Sequence, residues 1–405
     1  MQVFPGQVGQ GKNTVLVCLR KSAVKKTSFL MSSIEYQILL SAGTVNPDKG
    51  QQAHLRKLLA QEFDQDRLIR LAKKEGMTGL LYKSLKKAGI LGFFGHLQIQ
   101  QLQSCYYRTV QCNLQIVHDL KEILRRSNEK ELQVVLLQGV ALLEKIYKDS
   151  GLRPLTDIDL WVLPEKRGVF DTLMAQMDYQ RDRLYPNTFK KGKTIVDINS
   201  HILWADRIRS RRHLLAKSQH DLYENIEIIN FDGEPAGCLN VLDQVLYLSL
   251  HAFKHCASRL IWLVDIKHLI TGWQTSSWKA LFDRAGEWGQ VSIVYDMLYL
   301  MRHLFNLKLP ADIQAMVAGR SLTWLERMIL QKRLNGRPLP DWAPLSLFTS
   351  GKGLTARVSF VFETLFPRPA VLRQIFSATP NFRTWQLYLK RVFQLVGMVR
   401  SSKSI

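Results

Sequence analysis

Leu155-Thr156-Asp157-Ile158-Asp159-Leu160-Trp161-Val162 is the stretch that decides the fold of this chain. Its apolar, β-branched and aromatic residues, bounded by Pro154 and Pro164, predict a strand over 156–163. Side chains two apart on a strand share a face, so Asp157 and Asp159 project together while Ile158 and Leu160 turn to the core. Two carboxylates held side by side repel unless one takes a proton or a cation bridges them. A divalent ion with hard oxygen ligands, Mg²⁺ first and Mn²⁺ as the alternative, resolves that repulsion. The bland alternative is an Asp pair at a strand end that faces solvent.

The surroundings favour the metal. Upstream, Val134-Val135-Leu136-Leu137 is a continuous apolar run that ends at Gln138-Gly139, as expected of a strand buried on both faces. A helix is predicted over 140–147, and its first amide groups suit a phosphate. Downstream come a helix over 166–177, a turn-rich segment over 186–192 and a strand over 193–198. That strand carries Ile195-Val196-Asp197-Ile198, a third acid among β-branched residues, which is costly to bury unless paired or ligating. A further strand is expected over 226–231, before Asp232-Gly233. Residues 131–235 thus read as a mixed α/β core in which three acids fit two-metal phosphoryl chemistry.

Both flanks of this core are helical. In 31–130, apolar residues recur every three or four positions over 53–63, 68–74, 80–88 and 97–126, punctuated by Gly76, Gly89 and Gly92. In 236–405 the clearest helices are expected over 242–254, 259–271, 278–288 and 291–305, with a less regular linker over 344–352. The tail from Val358 alternates aromatics with Arg and Lys, as in Trp385-Gln386-Leu387-Tyr388-Leu389-Lys390-Arg391-Val392-Phe393. Such a pattern can stack bases, lie on anionic lipid, or form an ordinary helix with its aromatic stripe in the core, and the last is favoured. Residues 1–30 read as a flexible leader, or as an upstream start with the true one at Met31 and Ser32 or Ser33 as helix cap.

Composition narrows the classes. A chain of 405 residues, 46% hydrophobic and 22% charged, supports real cores and excludes wholesale disorder. The net charge of +22 favours an anionic partner: a nucleoside triphosphate, nucleic acid or an acidic membrane surface. Five cysteines with no Cys-x-x-Cys pair argue against a disulfide framework or thiolate zinc site and suit a reducing cytoplasm. No apolar run approaches the ~18 residues of a spanning helix. His251 and His255 share a helical face, but Ala252 replaces the Glu of a zinc-peptidase motif and no third ligand is evident.

Three runs together carry a resemblance: 136–142 (Leu-Leu-Gln-Gly-Val-Ala-Leu), 151–160 (Gly-Leu-Arg-Pro-Leu-Thr-Asp-Ile-Asp-Leu) and 196–198 (Val-Asp-Ile). With Leu248-Ser249-Leu250-His251, Lys254-His255 and 259–266, their order resembles the uncharacterised nucleotidyltransferase family of the polymerase-β-like superfamily. The resemblance implies a minimal nucleotidyltransferase core with a small mixed sheet and helical subdomains on both sides. It implies Asp157, Asp159 and Asp197 as metal ligands and catalytic carboxylates, and Gly139 at the turn facing the triphosphate. Gln138, where relatives often carry Lys, Thr156 and Arg153 are the other expected nucleotide contacts. Arg153, four residues before Asp157, is expected either to clamp a triphosphate with both arms of its fork or to neutralise the acids from the surface. Lys190, Lys191 and Lys193 read as a solvated turn.

The function expected is Mg²⁺-dependent transfer of a nucleoside monophosphate from a triphosphate to an acceptor: a small molecule, a protein or an RNA. The alternatives are a catalytically inactive nucleotide-binding or protein-interaction module on the same fold, and a nucleic-acid-binding protein.

Overall fold

A computed structural model describes residues 33–377 and 383–403. The reading of 1–30 as leader or mis-assigned start lies outside the described residues. Ser33 does cap the first helix, its hydroxyl accepting from the Tyr36 amide.

The amino-terminal flank is built from α1 (Ile34–Ala42), α2 (Lys49–Leu59), α3 (Gln65–Glu75), α4 (Thr78–Lys87) and α5 (His96–Asn128). Local signals set their ends. Asp48 and Gln51 form a capping box at the start of α2, Asp64 caps α3, and Gly76 stops α3 in the left-handed conformation at φ 71°. At 33 residues α5 is about 50 Å long. It packs along the sheet and buries Leu102, Ile116, Leu120, Ile123 and Leu124.

The core follows as β1 (Val135–Leu136), α6 (Gln138–Lys145), β2 (Ile158–Trp161), α7 (Arg167–Gln176), β3 (Gln180–Arg181), β4 (Thr188–Lys191), β5 (Thr194–Asn199), α8 (Gln219–Tyr223), β6 (Glu227–Phe231) and β7 (Glu234–Cys238). The strands form one mixed sheet in the order β3-β4-β5-β2-β1-β7-β6. The pairs β2–β5 and β1–β7 are parallel, and the others are antiparallel. The expected mixed core with helical flanks is therefore the fold, and its sheet is larger than expected. The segment read as turn over 186–192 contains β4, and a hairpin through Asp232 (φ 48°) and Gly233 (φ 94°) adds β7. That two-residue loop, with both residues at positive φ, matches the right-handed twist of the strands it joins.

The carboxy-terminal flank holds α9 (Val241–Lys254), α10 (Leu260–Ile270), α11 (Thr275–Trp288), α12 (Val291–Phe305), α13 (Ala311–Ala318), α14 (Trp324–Leu334), α15 (Ala343–Leu347), α16 (Leu354–Leu365), α17 (Pro369–Ile375) and α18 (Thr384–Lys403). The linker expected over 344–352 thus contains most of a short helix. One hydrophobic core runs from Tyr36 through the sheet to Phe360. Buried polar ties join the two flanks: Arg333 donates to both carboxylate oxygens of Glu75 at 3.2 and 2.6 Å, and Glu75 accepts the Leu260 amide.

The aromatic tail departs from the expected packing. In α18 Leu387 is buried against Leu372 of α17, but Trp385, Leu389 and Phe393 face outward. Periodicity locates an apolar stripe without saying whether anything covers it.

Candidate functional site

The acids come together through strand register. Asp159 on β2 pairs with Asp197 on the parallel neighbour β5, and Ile158, Leu160, Val196 and Ile198 take the opposite, core-facing side. Asp157 precedes β2 on the same face as Asp159. One carboxylate oxygen from each of the three acids lies within 4.8 Å of the others. Asp159 is only 8% exposed, while Asp157 and Asp197 are half-buried.

Such a cluster is electrostatically frustrated. Burial first, then the charges of Asp157 and Asp197, hold Asp159 well above the usual carboxylate range. Burial also raises Asp197, opposed by a hydrogen bond from the Thr188 hydroxyl and aided by Asp157. Three hard oxygen donors at this spacing fit a divalent cation, which would relieve the repulsion.

The turn after β1 lies beside the acid pair because the Leu137 amide donates to the Asp159 carbonyl at 3.0 Å. Gln138 sits there at φ 53°, a left-handed conformation uncommon outside glycine, and its Nε2 is 3.5 Å from the Tyr247 hydroxyl. Gly139 is needed for close approach: a Cβ would overlap Nη1 of Arg153 and come within 2.6 Å of Leu155 Cδ2.

Arg153 is therefore neither of the expected things. It is buried, not on the surface, and its fork is already engaged. Nε lies 3.1 Å from both oxygens of Asp265 on α10, and Nη2 lies 2.8 Å from one of them. A bidentate grip on a triphosphate is thus not open to it; Nη1, against the Gly139 turn, is the arm Asp265 does not hold, and it donates to the Pro154 carbonyl at 3.5 Å. Thr156 donates to Asp157 at 2.8 Å and so orients a carboxylate. Lys190, Lys191 and Lys193 are exposed, as expected, but only Lys193 lies in the turn: Lys190 and Lys191 belong to β4, and Lys190 pairs with Asp182.

Asn113 of α5 is a positioning residue that the sequence did not reveal. Its amide donates to the Ser150 and Arg153 carbonyls at 2.7 and 2.8 Å, and its oxygen accepts the Leu155 amide at 3.0 Å. A fully buried side chain on a long helix thus fixes the loop that delivers Arg153, Thr156 and Asp157.

A group of cations shares the field of the acids. Tyr247, His251 and Lys254 lie at i, i+4 and i+7 on α9, hence on one face. Lys254 Nζ stands 3.8 Å from the ring centroid of Trp204, which packs against Tyr247 at 5.5 Å. Arg211 also lies over Trp204, at 6.0 Å, and its buried Nε has no hydrogen-bond partner. Burial pushes Lys254 well below the usual lysine range; Arg211 and Arg207 add to this, while Asp159 and Asp197 oppose it. Arg211 is itself lowered to about 10 by burial and by Arg207. Among the described residues no carboxylate lies within ion-pair distance of these three cations. Trp204 holds φ 59°, so its backbone is strained where it supports them. The signal for Arg207 and Arg211 was present as the run Arg207-Ile208-Arg209-Ser210-Arg211-Arg212.

The rings of His251 and His255 lie 4.7 Å apart against Trp262, and His251 is buried with both nitrogens unpartnered. Burial and neighbouring cations keep His255 down, at about 3. Asp265, on the neighbouring helix α10, is held by Arg153 and the Tyr147 hydroxyl.

A mixed seven-stranded sheet with three acids on or just before two adjacent parallel strands, and a strand–turn–helix beside them, defines a nucleotidyltransferase-type core. The family profile described as "Uncharacterised nucleotidyltransferase" matches residues 61–306, more than half of the chain, and the chain belongs to that family, within the polymerase-β-like superfamily. Searches of curated proteins and of solved structures find no match.

Proposed function

We propose that this protein is a divalent-metal-dependent nucleotidyltransferase that moves a nucleoside monophosphate from a triphosphate to an acceptor hydroxyl or phosphate. The carrying observation is the Asp157–Asp159–Asp197 cluster, whose oxygens are close enough to share one ion. Bound there, Mg²⁺ or Mn²⁺ would supply charge neutralisation and alignment of the triphosphate. Lys254, Arg211 and Arg207 would neutralise the remaining phosphate charge, the task the Gln138 position does not perform. Gln138 and Gly139 would present backbone amides at the turn, and Thr156 would hold Asp157 in orientation. Arg153 would act through position, with Nη1 as the arm that Asp265 does not hold.

Beyond Asp197 on the same segment, Ser200, His201, Arg212 and Lys217 help to line a cavity of about 720 Å³, room for a small acceptor. Cys105, Cys112, Cys238 and Cys256 are all free thiols, which suits a reducing compartment such as the cytoplasm.

The test is calorimetry with each nucleoside triphosphate and Mg²⁺, followed by pyrophosphate release with candidate acceptors. Binding and release that both vanish in Asp157→Asn/Asp159→Asn are expected. Tight binding with no release from any acceptor would favour the inactive-module alternative. Activity unchanged in the double variant would overturn the assignment.

A further inference from the structure

Two helices near the carboxy end present apolar stripes to solvent. On α16, Leu354, Val358 and Phe362 recur every four residues and are 77, 58 and 64% exposed, while Phe360 on the opposite side is fully buried. On α18, Trp385, Leu389, Val392 and Phe393 share the face opposite buried Leu387, and Phe393 is 74% exposed. A stripe of large side chains normally packs inward on a surface helix. Here both helices pack with the other side, and the apolar face is left out.

The two stripes belong to one piece of structure. Arg391 of α18 donates from Nε to the Leu365 carbonyl at 3.0 Å and from Nη2 to the Thr364 carbonyl at 2.9 Å, closing the end of α16. The Tyr388 hydroxyl donates to the Pro367 carbonyl at 3.1 Å.

Charge selects the occupant. From 351 to 405 the sequence holds nine Lys and Arg and a single acid, Glu363. Glu363 is turned inward, accepting the backbone amides of Arg209 and Ser210 at 2.9 and 2.7 Å. The two helices therefore carry bulky apolar stripes bordered by exposed Arg357, Arg383 and Lys390, with no exposed carboxylate. Among the described residues no helix is long and apolar enough to cross a bilayer. Trp and Phe for the acyl–headgroup boundary, with cations for lipid phosphates, are the ingredients of a helix lying in the plane of an anionic membrane surface.

We propose that α16 and α18 form a membrane-docking face that seats the protein on anionic phospholipid. This does not depend on the catalytic assignment. The full chain is tested by co-sedimentation with vesicles of phosphatidylcholine alone and of phosphatidylcholine with phosphatidylserine. Binding to the anionic vesicles only, weakened by salt, is expected. Phe362→Ser/Phe393→Ser should lower that affinity about tenfold or more, while Leu97→Ser/Leu114→Ser, at exposed apolar sites elsewhere, should leave it unchanged. Equal unfolding midpoints for the variants exclude misfolding. Absence of binding at low salt overturns the proposal, as does binding indifferent to the Phe substitutions, which would make it a property of net charge alone. Self-association in solution, or RNA retention, abolished by the same two substitutions would assign the face to another occupant and overturn it equally.

Discussion

Arg153 and Asp265 form a buried, two-armed ion pair that joins the loop before β2 to α10, residues 112 apart in sequence. The Tyr147 hydroxyl completes the carboxylate's partners at 2.8 Å. Removing one member leaves the other charge in the interior. Arg153→Met is expected to cost about 3–5 kcal/mol of stability in urea unfolding, with Arg153→Met/Asp265→Leu recovering most of it. Were Arg153 chiefly a phosphate ligand, triphosphate affinity would fall with stability intact.

Gly139 separates packing from chemistry in a similar way. Gly139→Ala pushes a methyl into Arg153 Nη1 and Leu155. A loss of about 1–3 kcal/mol is expected from thermal or chemical unfolding. An unchanged midpoint would mean that the neighbours yield freely and that the glycine is kept for another reason.

The three acids should trade stability for binding. In the metal-free protein Asp159→Asn removes a buried carboxyl group whose ionisation is opposed by burial, Asp157 and Asp197. At pH 7 the variant should be more stable than wild type by on the order of 1 kcal/mol. It should also lose the rise in melting temperature that Mg²⁺ gives the wild type. A destabilised variant, or one that keeps the Mg²⁺ response, would contradict this.

Asp296 on α12 is fully buried, and neither carboxylate oxygen has a hydrogen-bond partner. Burial, then Glu326, holds it well above the usual range. In the fold it keeps its proton to higher pH than in the unfolded chain, where it titrates near about 3.9. The folded state thus binds more protons as pH rises above that value, and its stability falls through that window until the folded group ionises. Asp296→Asn should stabilise the protein at pH 7, with the gain shrinking to nothing below about pH 4. A gain independent of pH would rule out this origin.

Much of the fold was legible locally. The helix of residues 291–305 emerges with the expected bounds, and the i, i+2 spacing of Asp157 and Asp159 with the apolar run around Asp197 placed the acids on strands. What escaped lay outside local pattern. β7 reads Glu-Pro-Ala-Gly-Cys, with no β-branched residue, and is a strand because β1 and β6 pair with it. β4 sits among turn residues and forms by pairing with β5. The partners of Arg153 and the reach of Asn113 depend on elements about 40 to 110 residues away, a separation no periodicity encodes. The cations around Trp204 were visible as an arginine run, but only the fold puts them in the field of the acids.

The sheet order also bears on how the chain is made. β1 contributes two residues and sits between β2 and β7, and its parallel partner arrives roughly a hundred residues later. A nascent chain emerging from the ribosome with all three aspartates would still have an open edge along β1. Until the 227–238 hairpin is synthesised, that edge is exposed to other strands. Ribosome pausing upstream of the hairpin would therefore favour aggregation, whereas pausing after it would let the sheet close first.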